Sequence, residues 1–344
     1  MRRRAVTLVA AVLAAMVTLT ACGSTSGKSD SSTNSARSGS ASTAGYPVTV
    51  DTAWGKITLD KKPERIVVLG PNYVDILSSL GQKPVAFYPG NGTTTSESDL
   101  LEKMAWLKGK FSSDQIDTSL FSGSQASAEA VAALHPDLIL GSIWSIPRKQ
   151  YAQFSQIAPT YVGRSKTAQT DWTDILTDVG ALTGESSKAK STIASVDATF
   201  AAAKKKLPGL QGKSYLEAYD LNNQFYLNAL TWAPKLGLVP DPRLNPGLSK
   251  NSKPVSLENI GQLDSDVLFV VSGFTGTGSS VDKLQKQLEA DPNFTALPAS
   301  KSESVFYLTS QIATAQLSDP GPSSMTWLLG QVLPELEKSP LNKQ

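Results

Sequence analysis

Histidine and cysteine are almost missing from this chain. Its 344 residues hold one of each, His135 and Cys22. One imidazole and one thiol cannot build the multi-ligand sites of zinc or copper. They leave no Ser-His-Asp triad unless His135 serves, and no Gly-x-Ser-x-Gly turn occurs. His135 precedes Pro136 and reads as a turn residue. The run Gly209-Leu210-Gln211-Gly212-Lys213-Ser214 ends like a phosphate-binding loop, but the position five before Gly212 is Leu207 and a strand follows instead of leading. Gly273-Phe274-Thr275-Gly276-Thr277-Gly278 misses the dinucleotide spacing and reads as a loop. With no nucleophile, metal or nucleotide signature, we expect neither an enzyme nor a cofactor.

Strong charge is missing too. There are 32 basic residues against 30 acidic ones. Without Arg2, Arg3 and Arg4 the balance is 29 to 30, so nucleic acid is not an expected partner. Those three arginines open a secretory signal: a basic start, an apolar run from Ala5 to Thr18, then Leu19-Thr20-Ala21-Cys22. The run is short for a membrane span. Leu-x-Ala-Cys resembles the bacterial lipobox, which implies cleavage before Cys22 and a diacylglycerol on its sulfur. Gly23 to Gly45, with nine serines, lacks the apolar side chains to fold and reads as a linker. The expected location is the outer face of a bacterial cytoplasmic membrane, anchored through Cys22.

From Tyr46 onward, strands and helices alternate. Val48–Val50 and Gly55–Leu59 read as a hairpin. Ile66–Leu69, Val85–Tyr88, Leu138–Leu140 and Pro159–Val162 read as strands, the apolar runs suiting a parallel sheet covered on both faces. Tyr73–Leu80 and Pro147–Ile157 carry helical spacing. Between Thr170 and Leu207 only helical pattern occurs, with one apolar face at Ile193, Val196, Phe200 and Ala203. Alternation then resumes with strands at Tyr215–Tyr219, Val267–Val271 and Ser304–Leu308. Helices are expected at Trp232–Leu236, Val281–Leu288 and Met325–Leu336. We therefore expect an α/β protein with two Rossmann-like βαβ lobes joined by a single long helix and a ligand cleft between them. The boundaries are 1–21 for the signal, 22–45 for the lipidated cysteine and linker, 46–168 for the first lobe, 169–207 for the helical connection and 208–344 for the second lobe.

One stretch occurs twice. Ser127-Ala-Glu-Ala-Val-Ala-Ala-Leu-His-Pro-Asp-Leu-Ile-Leu140 returns as Ser256-Leu-Glu-Asn-Ile-Gly-Gln-Leu-Asp-Ser-Asp-Val-Leu-Phe269 without a gap. Each copy reads as a helix capped by its serine, a tight turn and a buried strand. Glu129 and Glu258 take the same place in both. Either alone is explained by the helix dipole. A matched pair suits docking on a partner with two matched basic pockets, and we expect both to face away from the ligand cleft.

Open α/β sheets bind ligands beyond the carboxyl ends of their strands. The candidates there are Tyr73, Tyr88, Asn91, Trp144, Arg148, Arg164, Tyr226, Trp232, Phe274 and Gln311. Arginine is scarce, eight against 24 lysines, so its presence on these loops points to oxyanion contact.

The signal and lipobox, Lys62-Pro-Glu-Arg-Ile-Val-Val-Leu-Gly70, the repeated Ser-x-Glu motif, Ile157-Ala-Pro-Thr160 and Asp291-Pro-x-Phe294-x-x-Leu-Pro-Ala299 together resemble the iron–siderophore substrate-binding lipoproteins of ABC importers. The resemblance implies a monomeric receptor with little hinge motion, a ferric siderophore as ligand, and docking of Glu129 and Glu258 on permease arginines. Such a protein coordinates no metal itself, because the siderophore fills the iron shell. Gln311 stands near the C-terminal strand, where anion-binding members tend to carry arginine, and no arginine follows Arg243. A hydroxamate complex is therefore the favoured ligand. The alternatives are haem or a corrinoid on the same fold, or an envelope lipoprotein with no transport role.

Overall fold

The computed structural model describes residues 45–343 except 91–93, 95, 168–169, 245–252, 272–280 and 319. The signal, Cys22, the linker, Asn91 and Phe274 lie outside the described residues.

A hairpin of β1 (Val48–Thr52) and β2 (Gly55–Leu59) precedes the first sheet. That sheet uses β3 (Ile66–Val68), α1 (Asn72–Ser79), β4 (Ala86–Phe87), α2 (Glu97–Lys103), α3 (Ala128–Ala133), β5 (Leu138–Leu140), α4 (Arg148–Ile157) and β6 (Thr160–Tyr161). Its four strands are parallel in the order β4-β3-β5-β6. Helix α1 stops at Gly81, whose φ of 75° is open to glycine and strained for a side chain. Gly81 N donates to Ser78 O and Gln82 N to Leu77 O, a Schellman ending that turns the chain back into β4.

Helices α5 (Trp172–Leu182) and α6 (Ser186–Lys204) follow, and α6 carries the chain to the second lobe. There β7 (Ser214–Asp220), β8 (Gln224–Asn228), β9 (Val255–Ser256), β10 (Val267–Val271), α7 (Val281–Glu289) and β11 (Val305–Leu308) build a mixed sheet. Its order is β9-β8-β7-β10-β11, parallel across β7-β10-β11 and antiparallel at β8 and β9. The short α8 (Ser310–Ala313) and the long α9 (Pro322–Lys338) close the chain.

Both sheets are apolar on both faces because both faces are covered. Val67 and Ile139 point to an outer cluster of the first lobe, and Leu216, Ala218, Leu268 and Val270 to an outer cluster of the second. Their neighbours Ile66, Val68, Leu140, Tyr215, Phe269 and Val271 join one shared cluster that runs through both lobes. Val196 and Phe200 of α6 and Met325, Leu328, Leu329 and Val332 of α9 fill it. So α9, after leaving the second lobe, packs back on the first. Trp327 lies 5.2 Å from Trp106. Exposing only Met325, Leu328 and Leu329 would cost roughly 5–9 kcal/mol at about 1.5–3 kcal/mol each. That rivals the whole binding free energy of a micromolar ligand, about 8 kcal/mol. A wide hinge opening is thus disfavoured.

Two expected elements differ. Trp232–Leu236 is no helix but a single 3-10 turn at Pro234–Leu236, ended by Gly237 in the left-handed region. The second copy of the repeat is also 3-10, at Leu257–Gln262, with Asn259 off helical geometry. Ser256 makes no side-chain cap there; its Oγ instead accepts from Asn259 Nδ2 at 2.9 Å, whereas Ser127 Oγ caps Ala130 N at 3.2 Å as expected. Helix α2, capped by Ser96, and the strands β8 and β9 were not among the expected elements.

Candidate site at the carboxyl ends of the strands

The loops after β3, β5 and β6 converge. Asn72, Tyr73, Ser142, Trp144, Gly163 and Thr170 share one small pocket. Trp144 is 63% exposed, rare for the largest apolar side chain, and its loop is built to hold it there. Ser142 N donates to Ser145 Oγ at 2.8 Å, and Trp144 N and Ser145 N both donate to Ser142 Oγ. Tyr73 forms the floor. It is buried, its hydroxyl donates to Gly141 O at 2.5 Å, and its ring meets Tyr161 edge-on. Burial pushes its phenol well above the usual range, so it stays protonated beneath the pocket.

Trp54, at the tip of the β1–β2 hairpin, joins this wall. Ala53 N donates to Gly163 O at 2.6 Å and Trp54 Nε1 to Ile146 O at 3.2 Å. The Arg148 guanidinium lies 6.0 Å from the Trp54 ring centroid and reaches Trp54 O at 3.5 Å. Arg148 is exposed and meets no carboxylate in the ion pairs of the described residues. Trp54 was not among the expected residues. The signal was a tryptophan at a two-residue turn, where an apolar ring is out of place.

Arg164 is placed at this edge but is not free. Its Nε and Nη2 fork onto Asp178 at 2.8 and 2.7 Å, and Nη1 holds Asp174 at 2.8 Å. The expectation of an open guanidinium is corrected: all three nitrogens already face carboxylates. Tyr88 is buried and stacked on Phe121 at 3.8 Å, which leaves it an edge rather than a face.

In the second lobe, Tyr226 is half-buried beside Tyr219 on the inner face of the sheet. Asn222 and Asn223 turn the β7–β8 corner with φ of 57° and 60°, values asparagine tolerates. Trp232 is corrected from cleft platform to core. It is fully buried, packs edge-on to Phe269 at 5.1 Å and donates Nε1–H to Gln316 Oε1 at 2.7 Å. Gln316 in turn donates to Glu217, a fully buried carboxyl that desolvation pushes up to about 8. Gln311 donates to Glu102 O, tying α8 of the second lobe to α2 of the first beside the cleft.

Glu129 and Glu258 are both exposed. Each copy of the repeat is fastened alike. Asp137 accepts from Glu64 N and Arg65 N at 2.8 Å, and Asp266 accepts from Ser214 N at 2.8 Å, so each aspartate pins the start of its lobe's first strand. Arg65 closes the first helix end through Leu134 O and His135 O; Arg243 closes the second turn through Gln262 O and Asp264 O. The direction expected for the glutamates is corrected. Ser127 N bonds Leu120 O beside the Phe121–Tyr88 stack, and Ser256 pairs with Gln224 next to the β7–β8 corner. Both glutamates therefore sit on the same end of their sheets as the cleft loops, because a helix that precedes a parallel strand begins where the strands end.

The chain is similar to the ferric enterobactin-binding periplasmic protein FepB of Escherichia coli O6:H1, with 31% identity over 168 residues. That match covers 48% of this chain and about half, 51%, of the relative. It is 27% identical to the probable siderophore-binding lipoprotein YfiY of Bacillus subtilis over 303 residues, 84% of this chain and 86% of that one. The fold superposes on PiaA of Streptococcus pneumoniae TIGR4 in complex with ferrichrome, with a TM-score of 0.66, 25% identity, and coverage of 86% and 99%. Residues 66–312 match the family model described as periplasmic binding protein, and the chain belongs to that family.

Proposed function

We propose that this protein is the lipid-anchored substrate-binding component of an ABC importer, that it captures a ferric siderophore of the hydroxamate class, and that it delivers the complex to a permease. The observation that carries the ligand class is the wall itself: exposed Trp144 beside half-buried Trp54, one open arginine at Arg148, and a second arginine cancelled by two aspartates. Aromatic faces cover an apolar chelate, while a low positive field gives little attraction to a highly charged one. The names of FepB, YfiY and the ferrichrome complex of PiaA support iron chelates as the substrate class.

Arg148 meets ligand oxygens and Trp144 covers the ligand. Tyr226 flanks it, Tyr73 underlies the pocket floor, and Tyr88 contributes an edge. Gln311 borders the opening. Glu129 and Glu258 flank the same opening, so a permease that grips both sits over the exit of the cleft, and release and docking share one face. Cys22 carries the lipid. No protein group coordinates the iron.

The test is a fluorescence titration with ferrichrome, ferric enterobactin and ferric dicitrate. The expected result is saturable quenching that is strongest for ferrichrome. Quenching by none of them sinks the reading.

A further inference from the structure

Arg164 is held by more acid than it needs. Asp178, buried at 6% side-chain exposure, already accepts from Nε and Nη2 in a two-pronged fork, and Tyr161 OH donates to the same Oδ2 at 2.8 Å. That pair alone satisfies the guanidinium. Asp174 then adds a second carboxylate through Nη1 at 2.8 Å, with 42% and 47% of the two side chains exposed. An ion pair that exposed contributes little to stability. Its larger effect is on charge: one guanidinium against two carboxylates leaves this corner of the wall net negative. The two aspartates sit four apart on α5, on one face of one helix. The backbone places the corner at the cleft. Arg164 N donates to Thr170 Oγ1 at 2.9 Å, and Thr170 lines the pocket beneath Trp144 with Gly163.

We infer that Asp174 and Asp178 are charge selectors: by cancelling Arg164 they turn a corner that could attract anionic chelates into one that disfavours them, leaving Arg148 to make the cleft's contacts with ligand oxygen. The inference rests on the ligand reading above and sharpens it, since it says which residues set the charge class. Asp178 also orders the wall, because its hydrogen bond to Tyr161 and the edge contact of Tyr161 with Tyr73 form a continuous path to the pocket floor. Asp174 has no such second duty, which makes it the residue to change.

The experiment compares the wild type with Asp174→Asn and Arg164→Gln, titrating each by intrinsic fluorescence with ferrichrome as the uncharged probe and ferric enterobactin as the strongly anionic one. The reading is the ratio of the two dissociation constants. Asp174→Asn should move that ratio about five- to tenfold toward enterobactin at low ionic strength, and added salt should shrink the shift. Arg164→Gln should move it the opposite way. A purely structural role would weaken both chelates together and leave the ratio alone, and that outcome overturns the inference. So does a ratio within about twofold of wild type in both variants. Wild-type protein that binds neither chelate overturns the ligand reading itself, whereas wild-type binding with an unmoved ratio overturns only the role given to the aspartates.

Discussion

Asp75 caps a helix that begins 247 residues later: its Oδ2 accepts the N–H of Ser323 at 2.9 Å and of Ser324 at 3.1 Å. Asp75 lies on α1 of the first lobe, and the two serines open α9. The N-cap position of α9 is Gly321, which has no side chain to cap with, and a Cβ there would stand 2.7 Å from Asp75 Oδ2. The lobes thus share one capping box, with the carboxylate supplied from across the junction. Lys110 Nζ stands 3.5 Å from the other oxygen. Asp75 is fully buried, and desolvation raises its carboxyl above the usual range despite these donors.

Removing that cap should loosen the junction. Asp75→Ala leaves two helix N–H groups and a half-buried lysine without their partner. We expect a loss of about 2 kcal/mol in urea unfolding, the upper part of the range for capping residues. Asp75→Asn keeps an acceptor oxygen and should lose less. Equal loss in both variants would mean that charge, not the cap, matters.

Glu217 makes stability depend on pH. Its folded pKa of about 8 stands above the unfolded value near 4.5 because burial penalises the carboxylate, with the Gln316 hydrogen bond opposing the shift. Below about pH 4.5 both states are protonated and the contribution is fully present. Between there and pH 8 the unfolded chain releases a proton that the folded protein keeps, so stability falls as pH rises, by at most about 1.4 kcal/mol per unit. Glu217→Gln retains the acceptor for Gln316 and removes the titration. Urea unfolding at pH 5, 6.5 and 8 should show the variant gaining steadily on the wild type. Parallel curves would mean the carboxyl is ionised in the fold.

Trp144 should separate binding from stability. Its ring is mostly in solvent, so Trp144→Ala should leave the melting temperature within a degree or two. The same change should weaken ferrichrome binding about tenfold or more if the ring covers the ligand. Calorimetric titration beside a thermal melt checks both halves. Unchanged affinity would make the ring a bystander.

The parallel strands, the connecting helix and the hairpin were legible because their signals are local, whereas the antiparallel β8 and β9 were not. Ile66–Val68 and Leu138–Leu140 are unbroken apolar runs, and α6 carries its buried stripe at Val196 and Phe200. The repeat marked a turn and a buried strand in each lobe, but not that Asp137 and Asp266 fasten those lobes. What failed depends on partners far away in sequence. Arg164 looked available because nothing near it in sequence shows that Asp178, one turn beyond Asp174, folds back onto it. Trp232 looked like a platform because its two core neighbours, Phe269 and Gln316, lie 37 and 84 residues on. The cap that Asp75 gives α9 has no sequence signature except Gly321 where a capping side chain would be expected. The direction of Glu129 was recoverable from topology alone, since a helix leading into a parallel strand must start at the strands' carboxyl end.

Docking should fail without the two glutamates while binding survives. Both are exposed, and neither is needed by its own helix: Ser127 caps the first, and backbone turns with Arg243 hold the second. Glu129→Ala with Glu258→Ala should therefore fold normally and titrate ferrichrome like the wild type. In cells that lack the native copy, the double variant should lose most iron-chelate uptake, and each single variant should lose part of it, because two separated contacts on one chain act together. Charge reversal to lysine at both positions should abolish uptake, since like charges would then meet across the interface. Uptake by the double alanine variant at the wild-type rate, with binding intact, would move the docking surface elsewhere on the lobes.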